Sequence, residues 1–74
     1  MVNIERLDDI IKIDYWNMTL YVPPTDLSYT IKDNRINIFR NDKFKLSEEL
    51  SDCKINNTTL TESNIDTLLQ MLSF

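Results

Sequence analysis

Residues 27–46, LSYTIKDNRINIFRNDKFKL, constrain the fold more than any other part of the chain. Apolar and polar residues alternate along this stretch, as is typical of β-strands, and the alternation is interrupted at Asp33-Asn34 and at Asn41-Asp42. Asn and Asp tolerate the positive φ that a two-residue hairpin turn requires. The pattern therefore predicts three antiparallel strands, at 27–32, 35–40 and 43–46, joined by two tight turns.

The two turns also predict which side chains share a face of this sheet. A two-residue turn at Asp33-Asn34 sets Lys32 opposite Arg35, so that one face carries Leu27, Tyr29, Ile31, Ile36 and Ile38. A two-residue turn at Asn41-Asp42 likewise sets Phe39 opposite Phe44, and the second face of the sheet then carries Phe39, Phe44 and Leu46. If Phe39 is buried within the monomer, Phe39→Ser should cost roughly 2 to 4 kcal/mol. If only assembly is lost, the face belongs to an interface.

The remaining residues predict further strands and one helix. Strands are expected within 9–22, where Pro23-Pro24 ends the pairing because proline lacks an N–H, and within 53–60. Residues 1–9 give no clear pattern, and residues 47–53 fit a polar turn or one helical turn. Thr61 is a suitable N-cap, and an apolar stripe follows it, so the spacing predicts a helix over 62–72. The stripe consists of Ile65, Leu68, Leu69 and Leu72.

These elements define an α+β fold in a single domain over 1–74: a small antiparallel sheet of about five strands, a meander of hairpins, closed by one C-terminal amphipathic helix. One helix covers only one of the two apolar sheet faces. Two alternatives remain for the other face. Either the N-terminal strands fold over it to make a small sandwich or barrel, or a partner subunit covers it.

The composition excludes several classes of enzyme site. The chain has no His, no Gly and one cysteine, Cys53, so it cannot build a Ser-His or Cys-His nucleophile, a Gly-rich phosphate loop or a Cys/His zinc cluster. We therefore expect a non-enzymatic protein with no catalytic residues, metal, cofactor or small-molecule substrate. The start of the chain lacks the features of a signal peptide and no apolar run approaches membrane-spanning length, so we expect no membrane contact and a location in the cytoplasm or in a particle assembled there.

Charge is distributed unevenly along the chain. The net charge of −4 argues against direct binding of nucleic acid. Residues 31–46 nevertheless have five cations and two acids, a balance of +3, which leaves −7 for the rest. These cations either discourage edge-to-edge aggregation or meet an acidic partner surface, which could be another copy of the chain. Trp16 is expected in the core or in an interface. The interface candidates are Phe39, Phe44, Leu46, Lys32, Arg35, Arg40, Lys43 and Trp16.

The C-terminal stretch KINNTTLTESNIDTLLQMLSF combines a small turn, a Thr-rich strand and a short closing helix. In residues 55–60 and Ile65–Leu72 it resembles minor structural, virion-associated proteins of tailed bacteriophages. That family usually has Gly after the first Asn of the turn, where this chain has Asn57. The resemblance implies a virion component that works by contact and without catalysis.

The leading interpretation is therefore a protein–protein interaction module, a small phage structural subunit that self-associates or docks on a larger assembly. The alternative is a small acidic phage-encoded inhibitor of a host defence nuclease, in which a negative surface mimics nucleic acid. A regulatory subunit of a toxin–antitoxin type is a third possibility.

Overall fold

A computed structural model describes residues 1–41 and 44–72, with the backbone but not the side chain of Phe44. The described residues form eight strands in two sheets and one α-helix, which confirms the α+β class. In chain order the elements are β1 (Val2–Leu7), β2 (Ile10–Tyr15), β3 (Met18–Val22), β4 (Leu27–Lys32), β5 (Arg35–Arg40), β6 (Phe44–Glu49), β7 (Cys53–Ile55), β8 (Thr58–Thr59) and α1 (Ile65–Leu72). Single 3₁₀ turns at Pro24–Asp26 and Leu50–Asp52 connect the two sheets.

Sheet A has the strand order β3-β2-β1-β7-β8, and sheet B has the order β4-β5-β6. The sequence pattern left β1 undecided, yet it is the middle strand of sheet A. It pairs antiparallel with β2 and parallel with β7, so that Val2 lies beside Cys53 and Ile4 beside Ile55. About fifty residues separate these partners in the chain, and a local alternation pattern cannot detect such a pairing.

Two hairpins turn through Asn and Asp residues that adopt positive φ. Asp33 and Asn34 have φ of 52° and 63°, and Asn56 and Asn57 have φ of 50° and 66°. Two successive residues of this kind are what a type I′ turn requires, and its twist matches that of the flanking strands. The first of these turns gives the predicted register, with Lys32 opposite Arg35 and Tyr29 opposite Ile38.

The predicted register of the second hairpin of sheet B is wrong by one residue. Arg40 pairs with Phe44, and Ile38 with Leu46, so the loop has three residues rather than two. Asn41 has a φ of 44°, while Asp42, the other predicted turn residue, and Lys43, the predicted start of the next strand, lie outside the described residues. A shift of one residue moves every side chain of a strand to the other face. Leu46 therefore joins the face of Ile36 and Ile38.

The buried side chains form one apolar cluster between the inner faces of the two sheets and the helix. Its members are Val2, Ile4, Ile11, Ile13, Val22, Leu27, Ile36, Ile38, Leu46, Leu50, Cys53, Ile55, Leu60, Ile65, Leu68, Leu69 and Leu72. The N-terminal strands thus cover sheet B, but on the face of Ile36 and Ile38. Phe39 is partly buried but is not part of this cluster, and Leu46 lies on the other face of the sheet, so the predicted Phe39, Phe44 and Leu46 face does not exist.

Both ends of α1 are held by hydrogen bonds to polar groups. The Thr61 Oγ1 accepts a bond of 3.3 Å from the Asn64 backbone N–H, and the Asn64 Oδ1 accepts one of 2.8 Å from the Thr61 N–H. This reciprocal pair closes a turn, and the helix begins only at Ile65 rather than at residue 62. At the other end, the Arg6 guanidinium donates to the Leu72 carbonyl at 2.8 Å and to the Asp8 carbonyl at 2.7 Å. No helix within the described ranges is long and apolar enough to cross a membrane.

Candidate interaction surfaces

The outer face of sheet B points away from the core and is the first candidate surface. Its residues follow from the observed register and are Ser28, Thr30, Lys32, Arg35, Asn37, Phe39, Lys45, Ser47 and Glu49. Three cations and one carboxylate give this face a formal charge of +2, in a chain whose total charge is −4. The sheet itself therefore collects positive charge on one exposed side of an acidic protein.

Two contacts organise the cations on this face. Lys45 lies opposite Phe39, and its Nζ is 5.8 Å from the centre of the Phe39 ring, within cation–π range. Arg35 donates from Nε to the Ser47 Oγ at 3.2 Å and from a terminal nitrogen to the Ser47 carbonyl at 3.3 Å. Arg35 also lies 3.9 Å from the Glu49 carboxylate, although both side chains are exposed and such a pair contributes little stability. These contacts orient the Arg35 guanidinium towards Ser47 and the Lys45 ammonium over the Phe39 ring.

The structure brings together only some of the interface candidates that the sequence suggested. Lys32, Arg35 and Phe39 share the outer face of sheet B. Arg40 is on the opposite face, and Leu46 is 1% exposed in the core, so Leu46 cannot be a surface contact of the folded chain. Lys43 and the Phe44 side chain lie outside the described residues. Lys45 was missed because the predicted two-residue turn placed it on the wrong face.

The tip of the β2–β3 hairpin is the second candidate surface. We call it the Trp16 tip and define it as Tyr15, Trp16 and Met18. Trp16 is 73% exposed, which excludes the expected core placement, and Met18 opposite Tyr15 is 47% exposed. The Tyr15 and Trp16 rings meet edge to face, with centroids 6.3 Å apart. The tip is thus an exposed apolar group whose indole is oriented by its neighbour.

Trp16 also has a strained backbone, with a φ of 56°. This left-handed region is costly for a bulky residue, by roughly 1–2 kcal/mol, whereas Asn tolerates it. We therefore predict that Trp16→Asn is about 1 kcal/mol more stable than Trp16→Ala, although both variants lose the same ring. Urea unfolding of the two variants measures the difference, and equal stabilities would contradict a strained Trp16.

Cys53, the only thiol in the sequence, is buried beside β1 and is not poised for reaction. Burial, and after it the charge of Glu48, raise the pKa of the Cys53 thiol to about 12, against a smaller opposing effect of the N-terminal amino group. A high thiol pKa means that the nucleophilic thiolate is scarce at neutral pH. Cys53 is accordingly a core residue.

The raised pKa predicts how stability depends on pH. The Cys53 thiol ionises more readily in the unfolded chain, near its ordinary pKa of 9.0, than in the folded chain near 12. Its contribution to stability is therefore full below pH 9 and is lost as the pH rises towards 12. Between pH 8 and pH 10.5 we expect the free energy of unfolding to fall by about 2 kcal/mol more in the wild type than in Cys53→Ala. Parallel pH profiles in urea titrations would rule this out.

The acidic pairs that an inhibitor of the nucleic-acid-mimic type would use are divided between the two sheets. Asp8 and Asp9 form the turn between β1 and β2, whereas Glu48 and Glu49 end β6 in sheet B. Glu49 is also occupied by Arg35. The described part of the chain contains no group of three or more His, Cys, Asp or Glu side chains that could hold a metal ion.

Comparisons with models of protein families, with curated protein sequences and with solved structures find no match to this chain. The two exposed surfaces are therefore the basis for inferring its function. On each surface a neighbouring side chain contacts an aromatic ring, Tyr15 at Trp16 and Lys45 at Phe39. Aromatic rings held in this way are typical of protein contacts.

Proposed function

We propose that this chain is a non-catalytic protein–protein interaction module that docks through the outer face of sheet B. The single observation that carries the proposal is the collection of Lys32, Arg35 and Lys45 on that outer face, with the Lys45 ammonium over the Phe39 ring. Burial of an aromatic ring flanked by cations is a frequent source of binding energy in protein interfaces.

The core of the monomer does not require this arrangement. Phe39 is partly buried but lies outside the core cluster, and the Lys45 ammonium lies over its ring. A hydroxyl-bearing residue at position 39 would match the neighbouring Ser28, Asn37 and Ser47 and would suit a face that only meets water. The aromatic side chain is better explained by a partner that covers it.

We further propose that the module is a virion-associated subunit of a tailed bacteriophage. The support is the resemblance of the C-terminal stretch, together with the short turn at Asn56-Asn57 and the closing helix. We favour this proposal over a nucleic-acid-mimicking inhibitor because the acidic pairs are divided between two sheets, while the charge that gathers on one exposed sheet face is positive.

Light scattering at several concentrations and mass spectrometry of particles from cells that produce the chain test the proposal. We expect the chain in purified particles, or as an oligomer in solution, and Lys45→Glu should reduce either form. Lys54→Glu is the matched control, because it makes the same change of charge on the outer face of sheet A, away from sheet B. A monomer that is absent from particles would overturn the proposal, as would a salt-sensitive complex with a nuclease that reversal of Asp8 and Asp9 weakens.

A further inference from the structure

We propose that β4, an edge strand of sheet B, pairs antiparallel with β4 of a second copy, so that the sheets B of two copies join edge to edge. This contact is separate from the outer face of sheet B, on which the proposed function depends. It uses the edge of the sheet and leaves the outer faces of both copies open to a partner.

The molecule leaves β4 uncovered. Sheet B has the order β4-β5-β6, so β4 lies at its edge and has a strand on one side alone within the described residues. Every residue from Ser28 to Lys32 is exposed. Tyr29 and Ile31 point to the same side of the sheet as the buried Ile36 and Ile38, yet they are 38% and 40% exposed. The core therefore ends before it reaches this edge and leaves two large side chains in water.

The edge at β4 lacks the features that usually prevent one sheet from pairing with another. Edge strands are commonly protected by charged side chains, prolines or bulges. Lys45, Glu48 and Glu49 lie on β6, the other edge of sheet B, and two prolines directly follow β3, the edge of sheet A. Residues 27–31, in contrast, contain neither a charge nor a proline, and Lys32 is the one charged residue of β4. An exposed edge of this kind is a template for another strand.

The backbone of β4 is oriented for such a pairing. In an antiparallel ladder, alternate residues direct their N–H and C=O groups to the same neighbouring strand. The Asp26 carbonyl accepts a bond of 3.2 Å from the Asn41 N–H, and Lys32 lies opposite Arg35 beside the two-residue turn, so the even-numbered residues face β5. Ile31 consequently directs its N–H and C=O to the open edge, where a second strand can bond to both.

The exposed side chains of β4 fit a second β4 in one register. When Thr30 lies opposite Thr30 of the second copy, Tyr29 lies opposite Ile31 of that copy, and the pair occurs twice by symmetry. An aromatic residue opposite a β-branched residue is a favourable cross-strand pair. This register therefore covers each of the two exposed apolar side chains with the other.

The charges of β4 also fit this register. Lys32 lies opposite Ser28 of the second copy, so the two Lys32 side chains are at opposite ends of the paired strands. Asp26 of the second copy is the diagonal neighbour of Lys32 and brings a carboxylate within reach of its long side chain. Because both copies contribute the same strand, the contact closes as a two-fold dimer and does not propagate into a filament.

Analytical ultracentrifugation with two charge variants tests this dimer. Ile31→Lys places a cation on the edge and alters both copies of the Tyr29–Ile31 pair. Met18→Lys is the matched control, because Met18 is 47% exposed on β3, the edge of sheet A. We expect a monomer–dimer equilibrium for the wild type, dimerisation about 10-fold weaker for Ile31→Lys, and wild-type dimerisation for Met18→Lys. Thermal unfolding followed by circular dichroism shows whether each variant keeps the fold.

Hydrogen exchange tests the same contact in the wild type without a substitution. The Ile31 amide, which is directed to the open edge, should exchange more slowly as the protein concentration rises. The Thr30 amide is directed to β5, so its exchange by local opening of the edge should not depend on concentration in this way.

The inference would be overturned by a wild type that stays monomeric up to millimolar concentration, or by dimerisation that Ile31→Lys leaves unchanged. A Met18→Lys variant that weakens dimerisation as much as Ile31→Lys would also overturn it. If the chain is monomeric yet enters particles, and Lys45→Glu prevents this, the inference fails while the proposed function stands. If the β4 dimer forms but Lys45→Glu changes neither particle content nor assembly beyond the dimer, the proposed function fails while the dimer stands.

Discussion

Leu46→Ala should lower the free energy of unfolding by about 2–5 kcal/mol, whereas Lys45→Ala, one residue earlier, should change it by less than about 0.5 kcal/mol. Leu46 is 1% exposed in the cluster that joins the two sheets, so its removal leaves a cavity as well as losing apolar burial. Lys45 is exposed on the outer face of sheet B, where only a weak cation–π contact is lost. Urea unfolding monitored by circular dichroism measures both changes.

Phe39→Ser provides the control for this pair of variants. In the register of the structure, Phe39 lies on the other face from Leu46, and we expect Phe39→Ser to cost about 1 kcal/mol rather than the 2 to 4 kcal/mol of a core phenylalanine. If Phe39→Ser proves as destabilising as Leu46→Ala, the two side chains share a core face and the observed register is wrong.

Arg6→Ala should destabilise the fold by about 1.5–3 kcal/mol, the usual range for hydrogen bonds that involve a charged group. The Arg6 guanidinium joins three elements, because it extends from β1 to the carbonyl that ends α1 and to the carbonyl of the β1–β2 turn. A cation at this end of a helix is also favoured by the helix dipole. Thermal and urea unfolding measure the loss.

Arg6→Lys is the matched control for the charge alone. An ammonium keeps the favourable interaction with the helix end, but it cannot donate to both carbonyls in the geometry of the guanidinium fork. We expect Arg6→Lys to lose about half as much stability as Arg6→Ala. Equal losses in the two variants would assign the effect to the planar hydrogen bonds, and no loss in either would refute the joining role of Arg6.

Turn chemistry and alternation were enough to predict much of sheet B and the helix. The Asp33-Asn34 turn gave the register of β4 and β5, because two residues that accept positive φ stand between two alternating runs. The stripe that begins at Ile65 gave the buried face of α1. The predicted length of the loop after Arg40 was wrong, because Asn-Asp suits both a two-residue loop and a longer loop. The difference of one residue placed every side chain of β6 on the wrong face of the sheet.

Sheet A and the Trp16 tip could not be predicted in the same way. The parallel pairing of β1 with β7 depends on contacts between chain segments that are far apart in sequence, and residues 1–9 have no periodicity strong enough to suggest it. Trp16 has the large, mostly apolar side chain that is typical of core residues. It is exposed because it lies in the turn between β2 and β3. The candidate surface on sheet B required the correct face of Lys45, which follows from the loop length after Arg40.

¹H–¹⁵N spectra test most directly the central claim, that the chain docks through the outer face of sheet B. As the concentration of the chain or of purified particles rises, the account predicts that the backbone amides of Phe39 and Lys45 shift or broaden together, with one common midpoint. The amide signals of Lys12 and Lys54, which lie on the outer face of sheet A, should keep their positions and widths. Spectra that do not change up to millimolar concentration, or changes confined to the outer side of sheet A, would contradict the claim.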